Sequence, residues 1–275
     1  MVFDIGTNNG ADAEFYASRG FCVIGVDANP MMVQEASHRL ARMRGRIQLF
    51  NVGLEELGPG EVDGRRIPFY VTKSKVHSSF ELAKVLRYST KQNLRVIKVP
   101  TMRCTELWQH LPRQSTIYHM KVDIEERHHV CIEGLTKLPA LQGPLQGLPR
   151  YISWENHEHA KGLRFPLLDA RLITQMAELG YTEMKVVSNS DRSDADWSSG
   201  RLLPEEMFDV VTKSTEWVDP AVVLMRGLGR AVASSKSRVN GPPSLGQTHP
   251  LHPYPDWWDF VMRLRVPPAR PLADF

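Results

Sequence analysis

The stretch MVFDIGTNNGADAEFYASRGFCVIGVDANP, residues 1–30, decides the fold. A short apolar run closes on Asp4, Ile5 and Gly6, and a polar turn carrying Asn8, Asn9 and Gly10 follows. Residues 11–20 then show a helical pattern with Phe15 and Tyr16 facing inward and Gly20 as a left-handed stop. CVIGVD returns as a second strand that ends on Asp27. Strand, turn, helix, strand, acid is the order in which open α/β sheets build a nucleotide or nucleoside pocket at their strand carboxyl ends.

The loop itself narrows the ligand. It runs D-x-G-x-N-x-G from Asp4 to Gly10, so its glycines are spaced G-x-x-x-G and the third glycine of the dinucleotide fingerprint is missing. That spacing disfavours a nicotinamide-dependent oxidoreductase. No Lys-Ser/Thr pair is placed to hold a triphosphate and magnesium. A ligand with an adenosine moiety and no phosphate remains. Gly6 and Gly10 would let the backbone come close to it, the amides at the helix start would meet a carboxylate, and Asp27 would accept both hydrogens of a ribose diol. S-adenosylmethionine has each of these parts.

Outward from this unit the pattern repeats. NPMMVQEASHRLARMRG places Asn29 where an N-cap belongs and Pro30 at the first helical position, with Met32, Ala36, Leu40 and Met43 on one face. RIQLFNVGL is a third strand. Residues 55–116 form an insert over the strand ends, with strand-like IPFYV and LRVIKV, a polar KVHSSF and a helical TELWQHL. TIYHMKVD, RYISWENH and TEMKVVS are the fourth to sixth strands, separated by helices over VCIEGLTKL and LLDARLITQMAELGY, the second stopped by Gly180. FDVVT is a candidate for pairing at the sheet edge. The domain organisation expected is a unit over 1–229, then a flexible Pro/Ser/Gly-rich segment and aromatic tail over 230–275, in which DWWDFVMRL is expected to dock as a short helix.

Composition bounds the function classes. With 275 residues, 42% of them hydrophobic, the chain can bury one large core. The net charge of +3 comes from dispersed Lys and Arg rather than a basic block, so no nucleic-acid partner is expected. The three cysteines, Cys22, Cys104 and Cys131, are odd in number and widely spaced within apolar patterns. They suggest neither a disulfide framework nor a thiolate metal cluster, and a reducing, cytoplasmic setting is expected. No run approaches the roughly 20 apolar residues of a membrane span, and no secretory leader opens the chain. Because the first strand begins at residue 1, a leading segment missing from this sequence is also expected.

FDIGTNNG, GVDANP, FNVGL, SSF, MKVDIE with IEGL, and ISWENH occur in the order and rough spacing found in FkbM-like methyltransferases, which the chain resembles over about residues 2–187. These are a branch of the class I S-adenosylmethionine-dependent enzymes. The resemblance implies a Rossmann-like three-layer sandwich with a mainly parallel seven-stranded sheet. It also implies methyl transfer to a hydroxyl of a sugar, glycan or small metabolite. By that likeness Asp4, Gly6, Asn8 and Gly10 surround the methionine part of the cofactor, Asp27 the ribose, and Asn51 and Val52 the adenine. The pattern departs where the family continues its strand-four K-[IV]-D-[IV]-E with Gly-Ala-Glu. Here Glu126, Arg127 and His128 follow, so either the acceptor is acidic and meets Arg127 and His128, or catalysis is weakened.

Transfer of a methyl group to oxygen needs an oriented acceptor and a base near its proton. Asp123 and Glu125 at the end of strand four, and Glu155 and His157 at the end of strand five, are the catalytic candidates. Asp123 with Glu155 and Asn156 also forms an oxygen set suited to a hard divalent ion, with His157 and His159 a weaker nitrogen alternative, although no metal is assigned. Lys121 would lie inside the strand and require a partner, and His119 is expected to be a satisfied core residue. A cofactor-binding pseudoenzyme is the first rival reading. A nucleic-acid amino methylase would need D-P-P-Y or N-P-P-Y, and DANP is neither.

Overall fold

The computed structural model describes residues 1–56, 64–73, 77–112, 115–124, 127–142, 147–157, 164–188, 220–221 and 257–264. The opening unit folds as the pattern demands, with β1 (Val2–Ile5), α1 (Ala11–Ser18), β2 (Val23–Val26), α2 (Pro30–Arg39) and β3 (Ile47–Phe50) in succession. Asn29 caps α2 by accepting the Met31 amide on its side chain, and Pro30 sits at the first turn. Gly20, with φ 93°, follows the end of α1.

The insert makes a small sheet of its own. β4 (Gly53–Glu55) pairs parallel with β6 (Arg95–Arg103), which pairs antiparallel with β5 (Arg66–Val71). Between β5 and β6 lies α3 (Leu82–Tyr88), and Cys104–His110 form a 3₁₀ turn whose Leu107 and Trp108 join the main core. The chain then supplies β7 (His119–Val122), α4 (His128–Gln142), β8 (Tyr151–His157), α5 (Arg164–Glu178) and β9 (Tyr181–Ser188).

Seven strands form the main sheet in the order β3-β2-β1-β7-β8-β10-β9. The seventh, β10 (Trp257–Leu264), corrects the reading of the tail as a short helix. It runs antiparallel between β8 and β9, whereas β1, β2, β3, β7 and β8 are parallel. The reason is visible in its composition: Trp258, Phe260, Met262 and Leu264 alternate with period two, and β-prone aromatic residues dominate. FDVVT and residues 230–256 lie outside the described residues.

Alternation along the strands sorts the two faces. Phe3, Ile5, Ile24, Val26, Met120, Val122, Ile152 and Trp154 pack with Leu135, Leu138, Leu172 and Met176 of α4 and α5. Val2 and Val23 pack on the opposite face with Ala13, Tyr16, Ala36 and Leu40. Asp4, two residues from Val2, therefore falls on the α1 face, as do His119 and Lys121 of β7.

The expectation of unpaired cysteines is overturned. Cys104 and Cys131 form a disulfide with Cα atoms 5.2 Å apart, tying the 3₁₀ turn to α4, while Cys22 is free and exposed. Their sequence separation of 27 gave no local signal of pairing. The apolar settings that suggested inert thiols are the two sides of one packed junction. No helix among the described residues is long and apolar enough to cross a membrane.

Candidate functional site

Strand order reverses between β1 and β7, since the chain proceeds outward to β2 and β3 on one side and to β8 on the other. That is the switch point at which a crevice opens outside the carboxyl ends of an open α/β sheet. Asp4, Gly6, Asp27 and Asp123 all stand at this place.

The glycines of the loop make room for the protein's own chain. Gly6 has φ 86°, and a Cβ there would lie 1.8 Å from the Asp123 carbonyl oxygen. Asn8 adopts φ 51° and Gly10 φ 82°, and a Cβ on Gly10 would press at 3.0 Å on Ala36 of α2 and on Leu40 at its C-terminal end. The turn is thus compressed between β7 and α2. The amides of Gly6 and Thr7 both donate to the Val26 carbonyl, while the Thr7 hydroxyl donates to the Asp4 carbonyl at 2.6 Å.

Asp27 is held by backbone. Its two carboxylate oxygens accept the amides of Asn8 at 2.8 Å and Asn29 at 2.7 Å. Burial nonetheless raises its pKa to about 6, against the lowering effect of those two amides. Each oxygen keeps a second lone pair for a ligand hydroxyl. Asn51 donates from its side chain to the carbonyls of Asp27 at 2.9 Å and Ala28 at 3.2 Å, so it braces the turn that presents Asp27. Val52 packs against the main core.

Asp4 has no such support. It is fully buried, and neither carboxylate oxygen has a hydrogen-bond partner. Burial raises its pKa to about 7 in spite of Lys121, whose Nζ lies 3.9 Å from Oδ1. Lys121 stands at the centre of the acids: its Nζ is 2.6 Å from Asp12 Oδ2 and 3.2 Å from Asp123 Oδ2. Burial opposes its charge, but Asp12, Asp123 and Asp4 together hold it well above the ordinary lysine value. Three carboxylates around one ammonium leave the crevice acidic. His119, by contrast, is a core residue between the Tyr16 hydroxyl at 3.0 Å and the Ser153 hydroxyl at 2.9 Å. Burial lowers its pKa to about 3, so it stays neutral.

Of the catalytic candidates, Asp123 is at the mouth, its amide donating to the Ile5 carbonyl at 2.7 Å. The register that pairs Val122 with Trp154 sets Glu155 level with Asp123 on the neighbouring strand, and β10 brings Asp259 opposite Glu155. His157 ends β8, two residues further on. Glu125 and His159 lie outside the described residues. No group of three or more His, Cys, Asp or Glu able to hold a metal is found among the described residues. Sequence reasoning passed over Asp12. Asp12 could have been found from its place in the first turn of the helix that opens the loop.

No protein-family model matches the chain, and no curated protein matches it. Solved structures of similar course include the [4+2]-cyclase SpnF, at 12% identity and TM-score 0.38, covering 97% of this chain and 75% of that one. A SAM-dependent methyltransferase from Archaeoglobus fulgidus is 14% identical with TM-score 0.37, covering 95% of this chain and 85% of that one. Another, from Thiobacillus denitrificans in complex with S-adenosyl-L-homocysteine, is 11% identical with TM-score 0.35, covering 96% and 84%. The chain is an open α/β protein with a mostly parallel seven-stranded sheet and an acidic crevice at its switch point.

Proposed function

We propose that the protein is an S-adenosylmethionine-dependent methyltransferase of FkbM-like type, acting on a hydroxyl of a sugar, glycan or small metabolite. The observation that carries this reading is Asp4, a fully buried carboxylate at the switch point with neither oxygen hydrogen-bonded and only the distant Lys121 ammonium at 3.9 Å, beside a backbone-held Asp27. A buried polar group without a partner costs on the order of 1–3 kcal/mol, more for a charge. A ligand that brings an ammonium near Asp4 and a diol to Asp27 removes that cost. The acidic surroundings favour a cationic ligand and oppose the pyrophosphate of a dinucleotide.

When bound, S-adenosylmethionine supplies an electrophilic methyl group on sulfur. The chain's residues do the rest: Asp27 orients the ribose, Asp4 and Lys121 set the charge around the amino acid part, and Asp123 receives the acceptor's proton. Glu125, Glu155 and His157 are the further catalytic candidates at the same strand ends. One observation favours the rival reading, a module that binds cofactor without turnover. Asp123 is paired with Lys121 at 3.2 Å, which weakens a carboxylate as a base.

Formation of S-adenosylhomocysteine over a panel of hydroxyl-bearing sugars separates the two. Turnover with any acceptor supports the enzyme, and tight cofactor binding with no turnover supports the module. A cytoplasmic location belongs to the proposal only in so far as the Cys104–Cys131 bond persists there, since structural disulfides are typical of oxidising compartments.

A further inference from the structure

The loop after β7 carries a cation that the reaction scheme does not use. Arg127 lies one turn beyond Asp123, its amide donating to the Ile124 carbonyl at 3.3 Å. Its guanidinium carbon sits 5.0 Å from the centroid of the Phe80 ring. Phe80 is itself fixed, against Phe69 at 4.8 Å and over Gly53, where a Cβ would lie 2.2 Å from the ring. Gly53 directly follows Asn51 and Val52 on the cofactor side of the crevice. Through Phe80, the guanidinium is thus linked to the segment between β5 and α3 and to the start of β4.

Nothing described satisfies its donors. A guanidinium offers five N–H groups and no acceptor, and when half-buried it is ordinarily matched to a carboxylate. Among the described residues no carboxylate is bonded to Arg127. Glu55, whose charge acts on Arg127, is taken by Arg65 at 2.7 and 2.8 Å and by the Thr101 hydroxyl. Glu81 is exposed. Burial lowers the Arg127 pKa, with Glu55 and Glu81 offsetting only part of that effect. Stacking on an aromatic ring leaves the edge of the guanidinium plane, where the paired N–H groups point, open to a bidentate acceptor.

We propose that Arg127, held over the Phe80 ring, is the anchor of an acceptor subsite for an anionic group, a carboxylate or a phosphate carried by the molecule to be methylated. The proposal rests on the methyltransferase reading for the word acceptor, while the anion site itself does not.

The test is calorimetric titration of inorganic phosphate, and separately of acetate, into the full chain with and without S-adenosylhomocysteine. Wild type should bind at least one of the two anions in a saturable way. Arg127→Met should weaken that binding tenfold or more, with Arg127→Lys in between because it keeps the charge and loses the fork. Affinity for S-adenosylhomocysteine should change less than twofold in both variants. The two anion arms tell which source of negative charge fits. Absence of saturable binding of both anions to wild type, or binding equally tight in Arg127→Met, overturns the subsite. Failure of S-adenosylhomocysteine to bind any of the proteins overturns the cofactor reading instead and leaves the anion result standing. Should Arg127→Met fail to fold, Arg127→Lys and Phe80→Leu carry the comparison, and unchanged anion affinity in both overturns it.

Discussion

The two walls of the crevice are built in different ways. On the β1–β2 side the functional carboxylate, Asp27, is positioned by backbone amides two residues and nineteen residues away in the chain. On the β7 side the contacts that set the candidate residues include side-chain pairs far apart in sequence, as with Lys121 on Asp12 and Arg127 on Phe80. A wall made of backbone is fixed by the local fold and survives most substitutions. A wall made of side chains can be retuned one residue at a time, and it is where a methyl acceptor would be chosen.

The contrast breaks most completely at the point where the walls touch. Gly6→Ala would set a methyl group against the Asp123 carbonyl in a backbone conformation that L-residues resist, at a cost of about 1–2 kcal/mol from the backbone alone, to which the clash adds. Thermal denaturation should show a large loss of stability together with loss of cofactor binding. A variant as stable as wild type with full affinity would mean that β1 and β7 do not meet as described.

Next in size is Asp123→Asn, which keeps shape and removes charge. If Asp123 takes the acceptor's proton, turnover should fall about 10²–10⁴-fold while cofactor affinity barely moves. Equal loss of both would assign it to the cofactor's ammonium. Loss of neither would shift catalysis to Glu155 and His157.

Asp27→Ala probes the backbone wall. It should weaken cofactor binding by about 1.5–3 kcal/mol, the scale of hydrogen bonds to a charged group, with the melting temperature nearly unchanged. Unchanged affinity would place ribose recognition elsewhere.

The smallest effect expected is on pH. Asp4 and Asp27 have pKa values raised to about 7 and about 6 in the free protein, so both are partly protonated in mildly acid solution. A ligand ammonium and diol favour the ionised carboxylates, so binding releases protons and cofactor affinity should rise from pH 5.5 toward a plateau above about pH 7.5. For stability of the free protein the sign is opposite. A carboxyl whose folded pKa is raised contributes a loss as pH climbs through that range. Asp4→Asn should flatten the affinity profile, and an unaltered slope would remove Asp4 from the site.

These differences explain what could be read in advance. The strand-turn-helix-strand unit, the Asn29 cap and the strand-end acids were legible because each is a local pattern of period two or 3.6 with its own punctuation. The seventh strand was not, because Trp257–Leu264 follows a Pro/Ser/Gly-rich stretch and only the sheet shows the gap between β8 and β9 that it fills. Asp12 was equally obscure, since what makes it matter is a partner 109 residues away, and for Arg127, which the sequence did single out, the stacking on Phe80 was not legible across 47 residues (127 minus 80). The Cys104–Cys131 pair belongs with these.

Calorimetry with S-adenosylmethionine, S-adenosylhomocysteine and NAD on the unmodified protein tests the central claim, that the crevice between Asp4 and Asp27 is a nucleoside site built for a cationic, unphosphorylated ligand. Saturable binding of either sulfur nucleoside, with no heat from NAD, is the result predicted. Binding of NAD with no response to either sulfur nucleoside would contradict it.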